Sequence, residues 1–292
     1  MLPWHAWTVM TDITLPASQI TLSDADFERF RDYFYRKTGI DFDLSRRYFV
    51  DRRLIERIAA LGLDSFRDYF MQLRNGNEIE HLINIMTVNE SYFFREEYQF
   101  RCLVQSMLPE LLARKNGAPI RIWSMPCASG EEPFSLALYL MTHWPALETH
   151  DVELLASDID TQALAAAREG IFSERAVKQL PAALRQRYFE PFGEERYRLD
   201  ADVRDCVAFS HVNIVDAAQV AAIGAIDVVF CRNLLIYFDD VSRRLAAANL
   251  FDSLNPGGFI CLGHSESMSR ISSLFNVRKF PDAIVYQKGL NA

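Results

Sequence analysis

No apolar run in this 292-residue chain approaches the roughly 18–20 residues that a bilayer-spanning helix needs, which excludes a helical membrane insertion. The opening residues would make a poor secretory leader as well. Met1 to Met10 has no basic start and no sizeable hydrophobic segment, so residues 1–20 are expected to be a tail, with Met10 a second candidate start. Positive charge is not in excess: 31 Lys and Arg stand against 39 Asp and Glu, a net charge of −8. That balance argues against nucleic acid as the principal partner, because phosphate binding needs a concentrated basic footprint. The five cysteines (Cys102, Cys127, Cys206, Cys231 and Cys261) are odd in number and show no CxxC pair. A disulfide framework and a zinc site are therefore disfavoured, and a reducing, cytoplasmic setting with no metal is expected. Internal repeats and low-complexity tracts are absent too.

What is present has room for two domains. Ser23 and Asp26 form a capping-box pattern, Phe27, Phe30 and Phe34 recur at helical spacing, and Gly39 offers a C-cap, so 24–38 is expected to be an amphipathic helix. A second helix, 46–61, carries Val50, Leu54, Ile58 and Leu61 on one stripe. Arg46, Arg53 and Arg57 follow at offsets of seven and four on an adjoining face. Helices at 64–73 and 77–88 complete an all-α domain over 21–90. Beyond it, helix and strand alternate: helix 96–115, strand 120–124, helix 131–142, strand 152–156, helix 161–169, strand 226–231, helix 240–253 and strand 258–263. This rhythm specifies a parallel sheet wrapped by helices over 91–292. It breaks at 171–210, expected to be a small inserted subdomain, and ends in an antiparallel hairpin over 276–287.

Three strands deliver polar residues to one edge, as buried parallel strands do at a ligand crevice. Ile226 to Cys231 runs into Arg232 and Asn233, Ile120 to Ser124 runs into the loop Pro126-Cys-Ala-Ser-Gly130, and Val152 to Ala156 runs into Ser157-Asp-Ile-Asp160. The Pro126–Gly130 loop is no phosphate cradle, having one glycine, no lysine, and Glu131 and Glu132 where a pyrophosphate would sit. Those carboxylates suit a cationic or hydroxyl-rich ligand, or merely complement the helix dipole. Asp158 lies 28 positions after Gly130, where nucleotide-binding α/β proteins place an acid for ribose hydroxyls. Asp160 is the better helix cap, which leaves Asp158 for a ligand. Ribose chemistry without phosphate chemistry points to a nucleoside such as S-adenosylmethionine. Asn89 to Arg95, NESYFFR, joins the two parts as a packed hinge or as part of the site.

Taken together, NESYFFR (89–95), WSMPCASGEEPFS (123–135), ASDID (156–160), VNI (212–214), FCRNLLIYF (230–238) and LNPGGFICLGHSE (254–266) closely resemble the chemotaxis receptor methyltransferases, the CheR family. The resemblance runs in order from about residue 21 to the C-terminus. It implies a class I S-adenosylmethionine-dependent methyltransferase: a Rossmann-like α/β sheet with an all-α N-terminal domain and a small inserted β-subdomain. It also implies methyl transfer from S-adenosylmethionine to glutamate carboxylates on the cytoplasmic helical domain of chemoreceptors, leaving S-adenosylhomocysteine. On the matched motifs, Asn89, Ser91, Arg95, Glu132, Asp158, Asn213, Ile214, Asn233 and Leu234 are expected at the cofactor, with Arg95 and Tyr237 the catalytic pair. Ser91 stands where many relatives have Thr. The turn around Gly193 looks shorter than in relatives that bind a receptor tether peptide, which implies a member that does not need one.

Arg46, Arg53 and Arg57 are expected to steer acidic receptor helices, or else to form a solvated face. A monomer suffices for all of this. Two other readings stand beside it. A methyltransferase for RNA or another macromolecule is opposed by the acidic charge and by the lack of an NPPY-type run; a catalytically silent cofactor-binding regulator is opposed by intact Arg95 and Tyr237.

Overall fold

The computed structural model describes residues 20–291 apart from 77 and 116, so the expected tail lies almost wholly outside the described residues. Ser23 accepts the Asp26 N–H while the Asp26 carboxylate returns a bond to Ser23, and this box opens α1, Asp24–Thr38. Gly39 ends α1 at φ 75°, and a Cβ at that position would meet Val215 Cγ1 at 2.8 Å. Glycine thus lets the end of this helix touch the segment after the third strand of the large sheet. α2 (Arg47–Ala60), α3 (Phe66–Asn75) and α4 (Glu78–Met86) follow, with a short 3-10 turn, Leu44–Arg46, ahead of α2. Phe27, Phe30, Phe34, Val50, Leu54 and Ile58 are fully buried, each contributing about 1.5–3 kcal/mol of hydrophobic stabilisation.

Ten strands follow among the described residues: β1 (Ile120–Ser124), β2 (Val152–Asp158), β3 (Ile171–Ser173), β4 (Phe189–Pro191), β5 (Arg196–Leu199), β6 (Val207–His211), β7 (Ile226–Cys231), β8 (Leu254–Leu262), β9 (Phe275–Lys279) and β10 (Ile284–Lys288). The large sheet has the order β6-β2-β1-β7-β8-β10-β9. Its first five neighbours are parallel and β10 runs antiparallel to both β8 and β9. Counting only its own strands, the order is 3-2-1-4-5-7-6 with the seventh reversed, the class I methyltransferase arrangement implied by the resemblance. Strand order reverses between β1 and β7, the place where open α/β sheets hold ligands.

Side chains alternate across this sheet. Ile122, Val228 and Phe230 face a core built with the helices at 98–112 and 131–143, whereas Trp123, Val229 and Ile260 face a core shared with α1, α2 and α4. The N-terminal helices therefore cover one face of the sheet rather than standing apart from it.

Two sequence expectations are corrected. The segment 207–210 is not part of the inserted subdomain: β6 pairs in parallel with β2 at the edge of the large sheet, and the three-stranded antiparallel sheet β3-β5-β4 ends at Leu199. A strand of only five residues gives no sign in sequence of which sheet it joins. The helix expected over 96–115 is Tyr98–Cys102, a widened π turn Leu103–Met107, and Leu108–Leu112. The widening precedes Pro109, whose missing N–H and ring cannot continue regular α-helical bonding. No described helix is long and apolar enough to cross a membrane.

Candidate functional site

A cleft of about 450 Å³ opens at the β1/β7 switch point, and its walls come from both parts of the chain. Thr38, Ile40, Phe42 and Phe49 line it from the helical side; Pro126, Asp158, Ile214 and Leu234 line it from the sheet edge. A polar lobe of about 60 Å³ adjoins it, lined by Ser91, Arg95, Glu132 and Arg232, and the two share Val88, Asn89, Pro126 and Asn233.

Of the residues expected from sequence, Asn89, Asp158, Asn213, Ile214, Asn233, Leu234 and Tyr237 line the large cleft, and Ser91, Arg95 and Glu132 line the lobe. Asp158 is buried and accepts the Ala128 and Asp160 N–H groups, each at 2.9 Å. Burial pushes its carboxyl up to about 6, although those two donors pull the other way. Asp160 does cap its helix, accepting from Gln162 and Ala163, and its second oxygen accepts from Asn89 Nδ2 and Thr87 Oγ1 at 2.6 Å. Helix capping and placement of Asn89 are thus one device. Asn213 Nδ2 donates to the Lys37 carbonyl at 2.8 Å, and the Ile214 carbonyl accepts from Asn249 at 2.8 Å.

Arg232, taken in sequence only as the polar end of a strand, is the hub of the lobe. It is buried, pairs with Glu132 at 2.7 Å and Glu96 at 3.1 Å, and donates to the Arg95 carbonyl at 2.8 Å. Burial would lower its basicity, yet the two carboxylates hold it above the ordinary arginine value. Glu132 also accepts from Ser124 Oγ at 2.8 Å, so it serves the lobe and not only the helix dipole. Its neighbour Glu131 lines neither space, and burial raises its carboxyl to about 7. A charged residue directly after the apolar run Val228–Cys231 is the one sequence sign that could have marked Arg232 as more than an edge.

The backbone around the cleft is strained. Phe94 (φ 59°), Glu96 (φ 55°), Ala128 (φ 49°) and Asn233 (φ 58°) are left-handed without being glycine, and each costs of order 1 kcal/mol or more. Polar groups hold three of them: buried Ser135 Oγ accepts the Phe94 N–H, buried Arg232 and exposed His264 bind the Glu96 carboxylate, and buried Asp158 accepts the Ala128 N–H. Arg95 lies between two of these residues, its guanidinium over the Tyr92 ring and donating to the Glu90 carbonyl at 3.2 Å.

The three arginines expected on one face separate. Arg46 lines the large cleft. Arg53 and Arg57 line a different hollow of about 200 Å³ between α2 and α4. Arg57 grips Glu78 through two nitrogens at 2.7 and 2.8 Å, while Arg53 stacks on Phe49 and donates to the Ile85 carbonyl at 2.7 Å.

The residues present fit S-adenosylmethionine. Ile214, Leu234 and Pro126 offer apolar surface for a flat base, the ionised Asp158 has lone pairs left for two hydroxyls, and the lobe offers both signs of charge to a zwitterionic end. No group of three or more His, Cys, Asp or Glu suited to a metal ion occurs among the described residues.

Comparison with known proteins agrees. The profile described as CheR methyltransferase, SAM binding domain, matches residues 89–284, and that of the CheR methyltransferase all-alpha domain matches 25–87. Chemotaxis protein methyltransferase 2 of Vibrio cholerae is 52% identical over 274 residues, covering 93% of this chain and 95% of its own. The chemotaxis protein methyltransferase of Salmonella typhimurium is 34% identical, covering 92% and 93%, and chemotaxis protein methyltransferase 2 of Pseudomonas aeruginosa is 36% identical, covering 85% and 89%. Matched by profile in both of its parts and by relatives over most of their length, this chain belongs to the CheR family of chemotaxis methyltransferases.

Proposed function

We propose that this protein transfers a methyl group from S-adenosylmethionine to glutamate side chains on the cytoplasmic helices of a chemoreceptor, acting as a monomer in the cytoplasm and without a receptor tether peptide. The observation that carries this reading is the two-part cleft, in which an apolar space holding Asp158 adjoins a lobe holding Arg95 and shares Asn89 and Asn233 with it. The cofactor supplies an activated methyl group bound to a sulfonium. Everything else falls to the chain. A glutamate carboxylate, with a pKa near 4.3, is ionised at neutral pH and needs no general base. Placement is what it needs, and holding two reactants in attack geometry can supply about 7–11 kcal/mol of the barrier.

In this reading Asn89, Ser91, Glu132, Asp158, Asn213, Ile214, Asn233 and Leu234 bind and orient the cofactor, while Arg95 and Tyr237 align the acceptor carboxylate. Because the attack neutralises an anion and a cation, a tight ion pair from Arg95 would stabilise the ground state more than the transition state. The strained backbone on either side of Arg95 fixes where its guanidinium can reach and supports an aligning role. Arg46, on the cleft wall, and Arg53 steer an acidic partner; Arg57, neutralised by Glu78, adds little net field.

The experiment is transfer of radiolabel from S-adenosylmethionine to receptor-containing membranes by wild type and Arg95→Ala, with label scored as methanol released by mild base. Base-labile label on a receptor lacking its C-terminal tail, lost in Arg95→Ala, supports carboxyl methylation without a tether. Cofactor binding with no label on any receptor overturns it.

A further inference from the structure

Where β7 ends, the chain turns through the left-handed Asn233 before delivering Leu234 and Tyr237 to the cleft. The Glu266 carboxylate spans that turn. Oε2 accepts the Asn233 N–H at 2.7 Å and the Gly263 N–H at 2.9 Å, and Oε1 accepts the Leu235 N–H at 2.8 Å. The Glu266 N–H donates back to the Gly263 carbonyl at 2.9 Å. Glu266 lines neither the cleft nor the lobe, so it acts on a ligand only through what it holds. Gly263 is part of the same device. A Cβ there would lie 2.8 Å from Asn233 Nδ2 and 2.9 Å from Glu266 Oε2, so the glycine leaves the room in which the Asn233 amide and the carboxylate sit.

A brace for the β7–β8 strand pair would bond to the strands. This one bonds on both sides of Leu234, to the turn that carries two residues of the cleft wall. We propose that Glu266 is a positioning residue for the methyl-transfer site: two backbone hydrogen bonds, from Asn233 and Leu235, hold the turn in its left-handed form while a third ties the carboxylate to Gly263, and together they set Asn233, Leu234 and, two residues on, Tyr237. The inference rests on the methyltransferase reading above.

The test uses the full-length protein and S-adenosylhomocysteine as the probe. Glu266→Gln keeps size but puts an NH2 group against a backbone N–H donor. Calorimetric affinity for S-adenosylhomocysteine should fall about 10- to 100-fold, the range for losing hydrogen bonds to a charged group. The thermal midpoint without ligand should fall by only a few degrees, and methyl transfer should show KM for S-adenosylmethionine rising while kcat falls. Gly263→Ala crowds Asn233 without altering charge and should weaken binding in the same direction, which keeps the role testable where Glu266→Gln does not fold. Affinity within about twofold of wild type in either folded variant overturns the positioning role alone. Wild type that fails to bind the probe overturns the methyltransferase reading, and this role with it.

Discussion

The guanidinium of Arg46 lies over the ring of Tyr237, 5.3 Å from its centre, joining the helical part of the chain to the strand-end turn. Tyr237→Phe keeps that stacking and removes only the hydroxyl. Turnover should fall about 10- to 100-fold through loss of acceptor alignment, with S-adenosylhomocysteine affinity nearly unchanged. Arg46→Ala should instead raise KM for the receptor and cost about 0.5–1 kcal/mol of stacking. Steady-state kinetics beside calorimetry separates the two.

The Arg232 guanidinium bridges Glu96 and Glu132, and all three are largely withdrawn from water. Replacing it by Met should cost about 3–5 kcal/mol in a denaturant titration, because Glu132 loses its ion-pair partner and Glu96 keeps only His264 as one. Adding Glu132→Gln to that variant should restore part of the loss, since one unpaired charge is removed.

Asp158 gives a pH signature. A carboxyl whose pKa rises on folding, from 3.8 to about 6, favours the folded state when protonated. Its contribution is fully present below about pH 4, is lost as pH rises through about 6, and amounts to about 2–3 kcal/mol. The thermal midpoint of Asp158→Asn, measured relative to wild type, should therefore improve between pH 4 and 7. Over the same interval wild-type affinity for S-adenosylhomocysteine should rise about fivefold, as a charged acceptor replaces a neutral one, and the variant should show no such rise.

Glu78→Gln should lower the thermal midpoint by an amount corresponding to about 1–3 kcal/mol, because Arg57 and the Tyr69 hydroxyl both bond to that carboxylate. Methyl transfer well below the midpoint should be unchanged. Faster transfer at low salt in this variant would instead mean that the freed Arg57 steers the receptor.

Strands β1, β2, β7 and β8 of the parallel sheet were legible because an apolar run ending in Asp158 or Asn233 has few other uses, whereas β6 was read into the insert; the capping box at Ser23 was legible because its two hydrogen bonds are local. Long-range partnership was not. Nothing near Arg232 in sequence names Glu96 and Glu132, 136 and 100 positions away, and nothing near Glu266 names Asn233. Phe42 and Phe49 look like ordinary core positions of amphipathic segments, yet they wall the cleft. Such residues are hidden by the same apolar chemistry that makes the helices fold.

The seam between the two parts of the chain includes the Ile40 to Phe238 bridge, the Asp41 N–H to the Tyr237 carbonyl at 3.2 Å, and the Tyr35 hydroxyl to Asp239 at 3.1 Å. A fragment beginning at residue 89 would retain the whole large sheet and lose the wall formed by Thr38, Ile40, Phe42 and Phe49. Recombination in evolution or in the laboratory therefore cannot trade the helical segment as an independent cassette. Any chimera inherits its grip on the small molecule from how well the foreign helices seat against residues 237–239.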